Sequence, residues 1–571
     1  MEPAEVLLAR HLTRRQLVKL SALAAVPVLT ACAPTAPATP TSAPKPVPPA
    51  PTSPVAPASP APVAPTAAVS PTSPPATIKR GGTIVQALNW TYPTMDPHLT
   101  TIHYMVGYES IYNSLVRFQL VDPKTWEHKV VGDLAESWEQ PDPKTLVFKL
   151  KRGIKFHDGS DFDAEVAAWN MLRARDHPKS QKKEQLADLD TAQALDKYTL
   201  QLKLKVPNPA FLRSLAFVVG AQVRMISKAA VDKLGDDGFG RAPVGTGPFR
   251  FKQWITDDRL ITERNPDYFE TGADGKPLPY LDGFVGRYVP DPTVSLVDMR
   301  AGSVHILEWV PTKDVATIKP DPNLVLFEMP WAGQVYFMVG FNTKATPFND
   351  VRVRQAALHA IDREGMAKAL GFGVGVPHYY PDWAPGSLGY DESIPKNEFN
   401  PAKVKELLKA AGYPDGISIE LKVIAREPEN TIGEFVQQMW TAQGIKTKLV
   451  SLERLAWIDA VRAMNFQACF WRGTFVTSVD PDMLKTRIKC GGSANWAQFC
   501  DPDIDRLMDE GAATVDQKRR HEIYREVLRL IQERAYLGTG ITMPLLTAYR
   551  KEVQGLTFNF QVPELRAAWL K

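Results

Sequence analysis

Two short segments of the chain alternate their side chains with a period of two. In one, Leu146, Phe148 and Leu150 interleave with Val147, Lys149 and Lys151; in the other, Leu200, Leu202 and Leu204 interleave with Gln201, Lys203 and Lys205. Successive side chains on a strand point to opposite faces, so each segment is expected as a strand with one apolar and one wet face. Residues 81–88 read as a further strand after a flexible glycine pair, and Met95-Asp96-Pro97 as a turn. Helical signals are equally plain. Asn400 is a cap residue ahead of Pro401, Val404, Leu407, Leu408 and Ala411 form one stripe, and Gly412 supplies the stop. Residues 351–370, entered at Asp350, and residues 517–535 are expected as two more amphipathic helices. Strands and helices mixed without a strict βαβ rhythm predict an α/β protein with mixed sheets. No internal repeat is apparent.

Length adds that the chain divides. With 571 residues, 44% of them hydrophobic and 23% charged, it is expected to bury a large core in two or more lobes. A net charge of +4 on so long a chain gives no phosphate-binding surface and excludes a nucleic-acid partner. Many of the 49 prolines crowd into one stretch near the N-terminus. Residues 1–32 read as an export signal: Arg14, Arg15 and Lys19 precede an apolar run, 20–31, too short to span a bilayer. Thr13-Arg14-Arg15-Gln16-Leu17 is similar to a twin-arginine signal, and both general and twin-arginine export stay open. Leu29-Thr30-Ala31-Cys32 looks like a lipobox, with Cys32 as the lipidated residue. Residues 33–78 follow as a tether built almost wholly from Ala, Pro, Thr, Ser and Val, too poor in large apolar side chains to order itself. At about 3.1 Å per residue its reach is on the order of 140 Å.

Beyond the tether a family pattern emerges. The stretch from Leu134-Ala135-Glu136-Ser137-Trp138 to Phe156-His157-Asp158-Gly159 resembles the signature of the family 5 (peptide/nickel type, cluster C) extracytoplasmic solute-binding proteins of ABC transporters. Gly245-Thr246-Gly247-Pro248-Phe249, Arg264-Asn265-Pro266-Asp267-Tyr268, Asp350-Val351-Arg352-Val353-Arg354 and Asp480-Pro481-Asp482 follow in the family's order. The resemblance implies a two-lobed periplasmic-binding-protein-like fold of type II, with mixed sheets, a hinge and an extra subdomain. Lobe I is expected at 79–330 with a C-terminal return at 541–571 and the inserted subdomain at about 121–238; lobe II is expected at 331–540. A solute is captured between the lobes and delivered to a permease and ATPase in the membrane, the carrier acting as a lipid-anchored monomer outside the cytoplasm.

Several motifs read as structure. His157-Asp158 ahead of Gly159 is the pattern of a side-chain-braced turn, and Gly245-Thr246-Gly247 lacks the Gly-Lys-Ser/Thr ending of a phosphate loop. Arg352 and Arg354 are expected to make salt bridges or backbone contacts. No Gly-x-Ser-x-Gly elbow or His-Glu-x-x-His occurs, and the ten histidines are scattered, so neither a catalytic site nor a metal or cofactor is expected. An extracytoplasmic hydrolase is the reading of another class. Cys469 sits in an apolar run as a buried thiol. Cys490 and Cys500 flank a short flexible loop, where an exported protein admits a disulfide and zinc is the alternative; the dipeptide-binding branch of the family closes a similar loop after its Asp-Pro-Asp motif, which implies the disulfide.

The dipeptide-binding branch also implies a site. Its carboxylate-binding Arg falls on Arg426. Its ammonium-binding Asp falls on Thr474 or Thr477, neither of which carries a charge, a departure that disfavours ordinary free α-amino peptides and leaves modified peptides, amino-acid conjugates, opine-like acids and sugars open, with nickel or haem as the runner-up cargo. Trp90, Tyr92, Tyr379, Tyr380, Trp383 and Trp471 are the aromatic candidates for stacking on the ligand.

Overall fold

The computed structural model describes residues 78–571 except 101–104, 123–126, 218–219, 330–334, 475–479 and 560–561. The export signal, Cys32, nearly all of the tether and Thr477 lie outside the described residues, as does the side chain of Thr474. Among the described residues no helix is long and apolar enough to cross a membrane.

Two mixed sheets organise the chain. The larger has seven strands in the order Leu324–Glu328, Leu546–Arg550, Ile306–Glu308, Thr83–Leu88, Gly283–Tyr288, Arg259–Arg264 and Phe249–Ile255. Thr83–Leu88 runs parallel to both of its neighbours, and the other pairings are antiparallel. The second sheet has six strands in the order Val376–Pro377, Leu537–Met543, Val335–Phe341, Ala468–Thr474, Ile417–Ile424 and Ile445–Leu452. There Ile417–Ile424 is parallel to both neighbours. A smaller antiparallel sheet of four strands carries Thr145–Leu150 and Thr199–Leu204 at its centre and packs against helix Ala164–Asp176. Its core face takes Leu146, Phe148, Leu150, Leu200, Leu202 and Leu204, all almost fully buried, while Lys149 and Lys203 stay out. Val147 on the other face is also buried, so the wet face is drier than the alternation predicts.

Helix 351–370 is a correction. The structure divides it into Val351–His359 and Arg363–Leu370. Asp362 accepts a hydrogen bond from Gly365 N and caps a second helix, because a side-chain acceptor there satisfies a backbone donor that a continuous helix would use internally. Asn400 and Pro401 open helix Pro401–Ala410 as expected, and Gly412 takes a positive φ of 92°. Helix Gln517–Arg534 ends where Ala535 turns left-handed.

The family landmarks hold the parts together. His157 N donates to Gly245 O at 2.9 Å and its Nε2 lies 3.0 Å from Gly247 O, pinning the signature turn to the Gly245-Thr246-Gly247 connection. Burial lowers the His157 pKa to about 4, so the ring is neutral and the contact is a hydrogen bond. Gly247 has no alternative residue at this separation: a Cβ there would stand 2.5 Å from Ser110 O. Arg352 pairs with Asp350, and Arg354 donates to the carbonyls of Phe348 and Arg534. Cys490 and Cys500 are disulfide-bonded, and Cys469 is a buried free thiol. In the Asp-Pro-Asp motif, Asp480 receives both Arg520 Nη1 at 2.9 Å and Nη2 at 2.8 Å, with the two residues almost fully buried.

Removing one member of a buried pair strands the other charge, which costs more than the pair itself contributes. Asp480→Ala is therefore expected to lower unfolding stability by about 3–5 kcal/mol. Urea denaturation followed by tryptophan fluorescence measures this, and a loss under about 1 kcal/mol would show that Arg520 is solvated rather than dependent on Asp480.

Candidate functional site

The two mixed sheets deliver residues to one cleft from the carboxyl ends of parallel strands. Trp90 follows Thr83–Leu88 and Trp309 follows Ile306–Glu308, adjacent parallel strands with Gln86 opposite Ile306. From the second sheet, Arg426 follows Ile417–Ile424, and Trp471 and Arg472 lie near the end of Ala468–Thr474, again parallel neighbours with Val423 opposite Phe470. Trp471 has room for its indole because Gly340 on the next strand bears no side chain: a Cβ would meet the ring at 2.9 Å. These residues line a chamber of about 230 Å³.

Cations from one sheet stack on rings from the other. The Arg426 guanidinium lies 5.2 Å from the Trp90 ring centre, and that of Arg472 lies 4.6 Å from the ring centre of Trp309. Glu429 sits beneath both arginines, fully buried. It pairs closely with Arg426 and lies 3.7 Å from Arg472. Trp309 holds its place in the left-handed region, at φ 61°, a conformation that costs a bulky residue on the order of 1–3 kcal/mol. Just before it, burial pushes the Glu308 carboxyl up to about 8 despite the hydrogen bond from Gln86.

A larger chamber of about 850 Å³ adjoins the first, and Trp90, Arg454, Ile458, Arg487 and Trp496 line both. Arg487 Nη1 donates to Asp382 Oδ1 at 2.7 Å and to Tyr336 Oη at 2.8 Å, so its charge is answered from below. Across this chamber Lys485 Nζ donates to Asp188 at 2.9 Å, and Asn208 Nδ2 reaches Asp482 at 3.3 Å. Burial raises the Asp482 pKa against the pull of Lys485. Ser493, inside the disulfide loop, bonds Glu184. These contacts join the region of the four-stranded sheet to the region of the six-stranded one.

Of the residues singled out from the sequence, Trp90, Arg426 and Trp471 meet in the smaller chamber. Tyr92 is buried behind Trp90, edge-on to Tyr108 and Trp254. Tyr379, Tyr380 and Trp383 stand elsewhere. The Tyr380 hydroxyl donates to Ile394 O, Trp383 Nε1 donates to Leu388 O, and Tyr379 lies beneath Arg363 and Lys396. Trp309, Arg454, Arg472, Arg487 and Trp496 were not singled out. Arg472 adjoins Trp471 and was within reach of sequence reasoning; Trp309 carried no local signal.

The profile of bacterial extracellular solute-binding proteins, family 5 (middle), matches residues 129–495. The chain belongs to this family. It is 27% identical over 481 residues to the dipeptide-binding protein of Escherichia coli (strain K12), covering 78% of this chain and 86% of that one. It is 27% identical over 488 residues to the glutathione-binding protein GsiB of Salmonella paratyphi A, covering 83% and 91%. The solved structure of the periplasmic binding protein DppA from Helicobacter pylori in complex with peptide STSA is 24% identical, with a TM-score of 0.72 over 86% of this chain and 98% of that one. The protein is thus a two-lobed ABC-transporter substrate-binding protein that takes a small polar ligand between its lobes outside the cytoplasm. Family 5 proteins are transport proteins and not enzymes, and membership implies partnership with an ABC permease and ATPase.

Glu308 gives the site a pH signature. A carboxyl raised from about 4.3 unfolded to about 8 folded favours the folded state while it is protonated. That contribution is complete below about pH 4.3 and is lost as pH rises towards 8. Glu308→Gln is expected to flatten the stability profile across this window relative to wild type, as read from urea midpoints at a series of pH values. Parallel profiles for the two proteins would place the Glu308 carboxyl in contact with water.

Proposed function

We propose that the captured solute is peptide-like and seats an acidic group against Arg426 and Arg472. The observation that carries this reading is the placement of two guanidinium groups side by side on the chamber wall over one buried carboxylate, Glu429, a trio whose net charge is positive. The relatives named for binding dipeptides and glutathione support a cargo of this chemistry. The stacked pairs with Trp90 and Trp309 hold the guanidinium planes in place before the ligand arrives, which reduces the ordering cost of binding.

The lobes of this reading are 79–330 with 541–571, carrying the subdomain at about 121–238, and 331–540. Sheet membership supports them: the chain passes between the two mixed sheets after Glu328 and returns after Met543. Two crossings suit a hinge that closes on the solute. Cys32 is the lipid attachment point in this reading, and the tether at 33–78 carries the lobes to the permease.

Native mass spectrometry of gently purified protein is expected to show a retained ligand of peptide-like mass. In calorimetry with Phe-Glu and N-acetyl-Phe-Glu, Arg426→Ala is expected to weaken binding by about 30-fold or more, since an anion left buried without its partner costs at least about 2 kcal/mol. A thermal melt on the same sample confirms that the variant is folded. Equal affinity in wild type and variant would move the acidic anchor away from Arg426. Separately, Cys32→Ala is expected to shift the protein from the membrane fraction to the soluble exported fraction, and unchanged membrane association would exclude Cys32 as the anchor.

A further inference from the structure

The walls of the smaller chamber carry more positive charge than one acidic group answers. Four arginines line it: Arg426, Arg454, Arg472 and Arg487. Two buried carboxylates face them, Glu429 beneath Arg426 and Arg472 and Asp382 beneath Arg487. The guanidinium groups of this wall thus outnumber the carboxylates beneath them.

Arg454 differs from the other three. It is the first residue of helix Arg454–Arg462, it lines both chambers, and among the described residues it forms no ion pair; Asp482 and Glu184, the acidic residues on the larger chamber, each bond elsewhere. Ile458 and Arg462 lie one and two turns further along the same face and also line the larger chamber. Arg462 lies over the ring of Trp496 at 5.9 Å and forms no ion pair among the described residues. One face of this helix therefore presents cations to the cleft with an apolar side chain between them.

We propose that the cleft selects a dianion: one acidic group at Arg426 and Arg472, a second at Arg454, and an apolar or aromatic body between them against Trp496. The first anchor is that of the peptide reading, and the second, Arg454, is the specificity-determining residue this inference adds. A monoanion satisfies the first site and leaves Arg454 facing water, while a dianion satisfies both. For an exposed guanidinium the second contact is worth up to about fivefold in affinity.

The test uses two pairs of probes that differ by one carboxylate: N-acetyl-Phe-Glu against N-acetyl-Phe-Gln, and isophthalate against benzoate. Calorimetry at fixed ionic strength is run on wild type, Arg454→Gln and Arg454→Lys. The dianion of a pair is expected to bind wild type up to about fivefold tighter than its monoanion. Arg454→Gln is expected to erase that preference and Arg454→Lys to restore part of it, a pattern that a merely structural role would not produce. Preference for isophthalate without binding of either peptide would uphold the dianion and overturn the peptide reading. Equal binding of both members of a pair by wild type would overturn the dianion and leave the peptide reading standing. A preference that survives Arg454→Gln would overturn the assignment, and binding of no probe would overturn both readings.

Discussion

Glu429 fixes the cleft, because without its charge two guanidinium groups would crowd one half-buried position. It is fully buried at the first residue of helix Glu429–Ala442, three residues after Arg426 and 3.7 Å from Arg472. A carboxylate there holds Arg426 and Arg472 side by side at the carboxyl ends of adjacent strands. An isolated charge in that position would carry a desolvation penalty of several kcal/mol, and the arginines are what make it tolerable. Held in this way, each arginine meets a tryptophan from the other sheet. The carboxylate thus sets the proposed ligand anchor and the contact between the sheets together.

This coupling explains why the tryptophans are placed at some cost. Trp309 adopts a backbone conformation that glycine would take without strain, yet its ring meets Arg472 at 4.6 Å. Strain at one residue persists when the surrounding structure fixes it, and here strand Ile306–Glu308 is paired on both sides. Two cation–π contacts of about 0.5–2 kcal/mol each are comparable to that strain, so this contact between the sheets is held weakly. A weak contact suits a carrier whose lobes have to part. Lys485 with Asp188, and Ser493 with Glu184, add polar contacts further out that water can replace when the cleft parts.

Much of the fold was legible because its signals are local. The cap at Asn400, the alternation at Leu146 to Leu150 and the stop at Gly412 each act within a few residues and appear where expected. The break at Asp362 was harder: the apolar period continues through it, and only the competing cap at Gly365 N ends the first helix. The site was legible in part. Arg426 stands out through the family pattern, and Trp90 and Trp471 through their type. Glu429 does not, since an acidic residue at the start of a helix usually faces water and serves the helix dipole. Tyr380 and Trp383 drew notice as aromatic residues near a suspected loop, but their polar atoms bond the carbonyls of Ile394 and Leu388, and that contact is invisible until the loop is folded.

The same charge pattern bears on what the cleft refuses. A free α-amino group entering the smaller chamber meets four arginines, and the carboxylates behind them are already paired and out of reach of solvent. In the larger chamber Asp482 is also buried, within reach of Lys485 and Asn208. Position 477, which the family pattern offers for an ammonium partner, carries a threonine here, and so does position 474. A zwitterion would therefore gain at its acidic end and lose at its cationic end through like-charge repulsion in a partly dry site. On the proposed reading, rejection of cations would require no further contact: it would follow from arginines that outnumber the carboxylates beside them. Specificity would then rest as much on the repulsive term as on the attractive one.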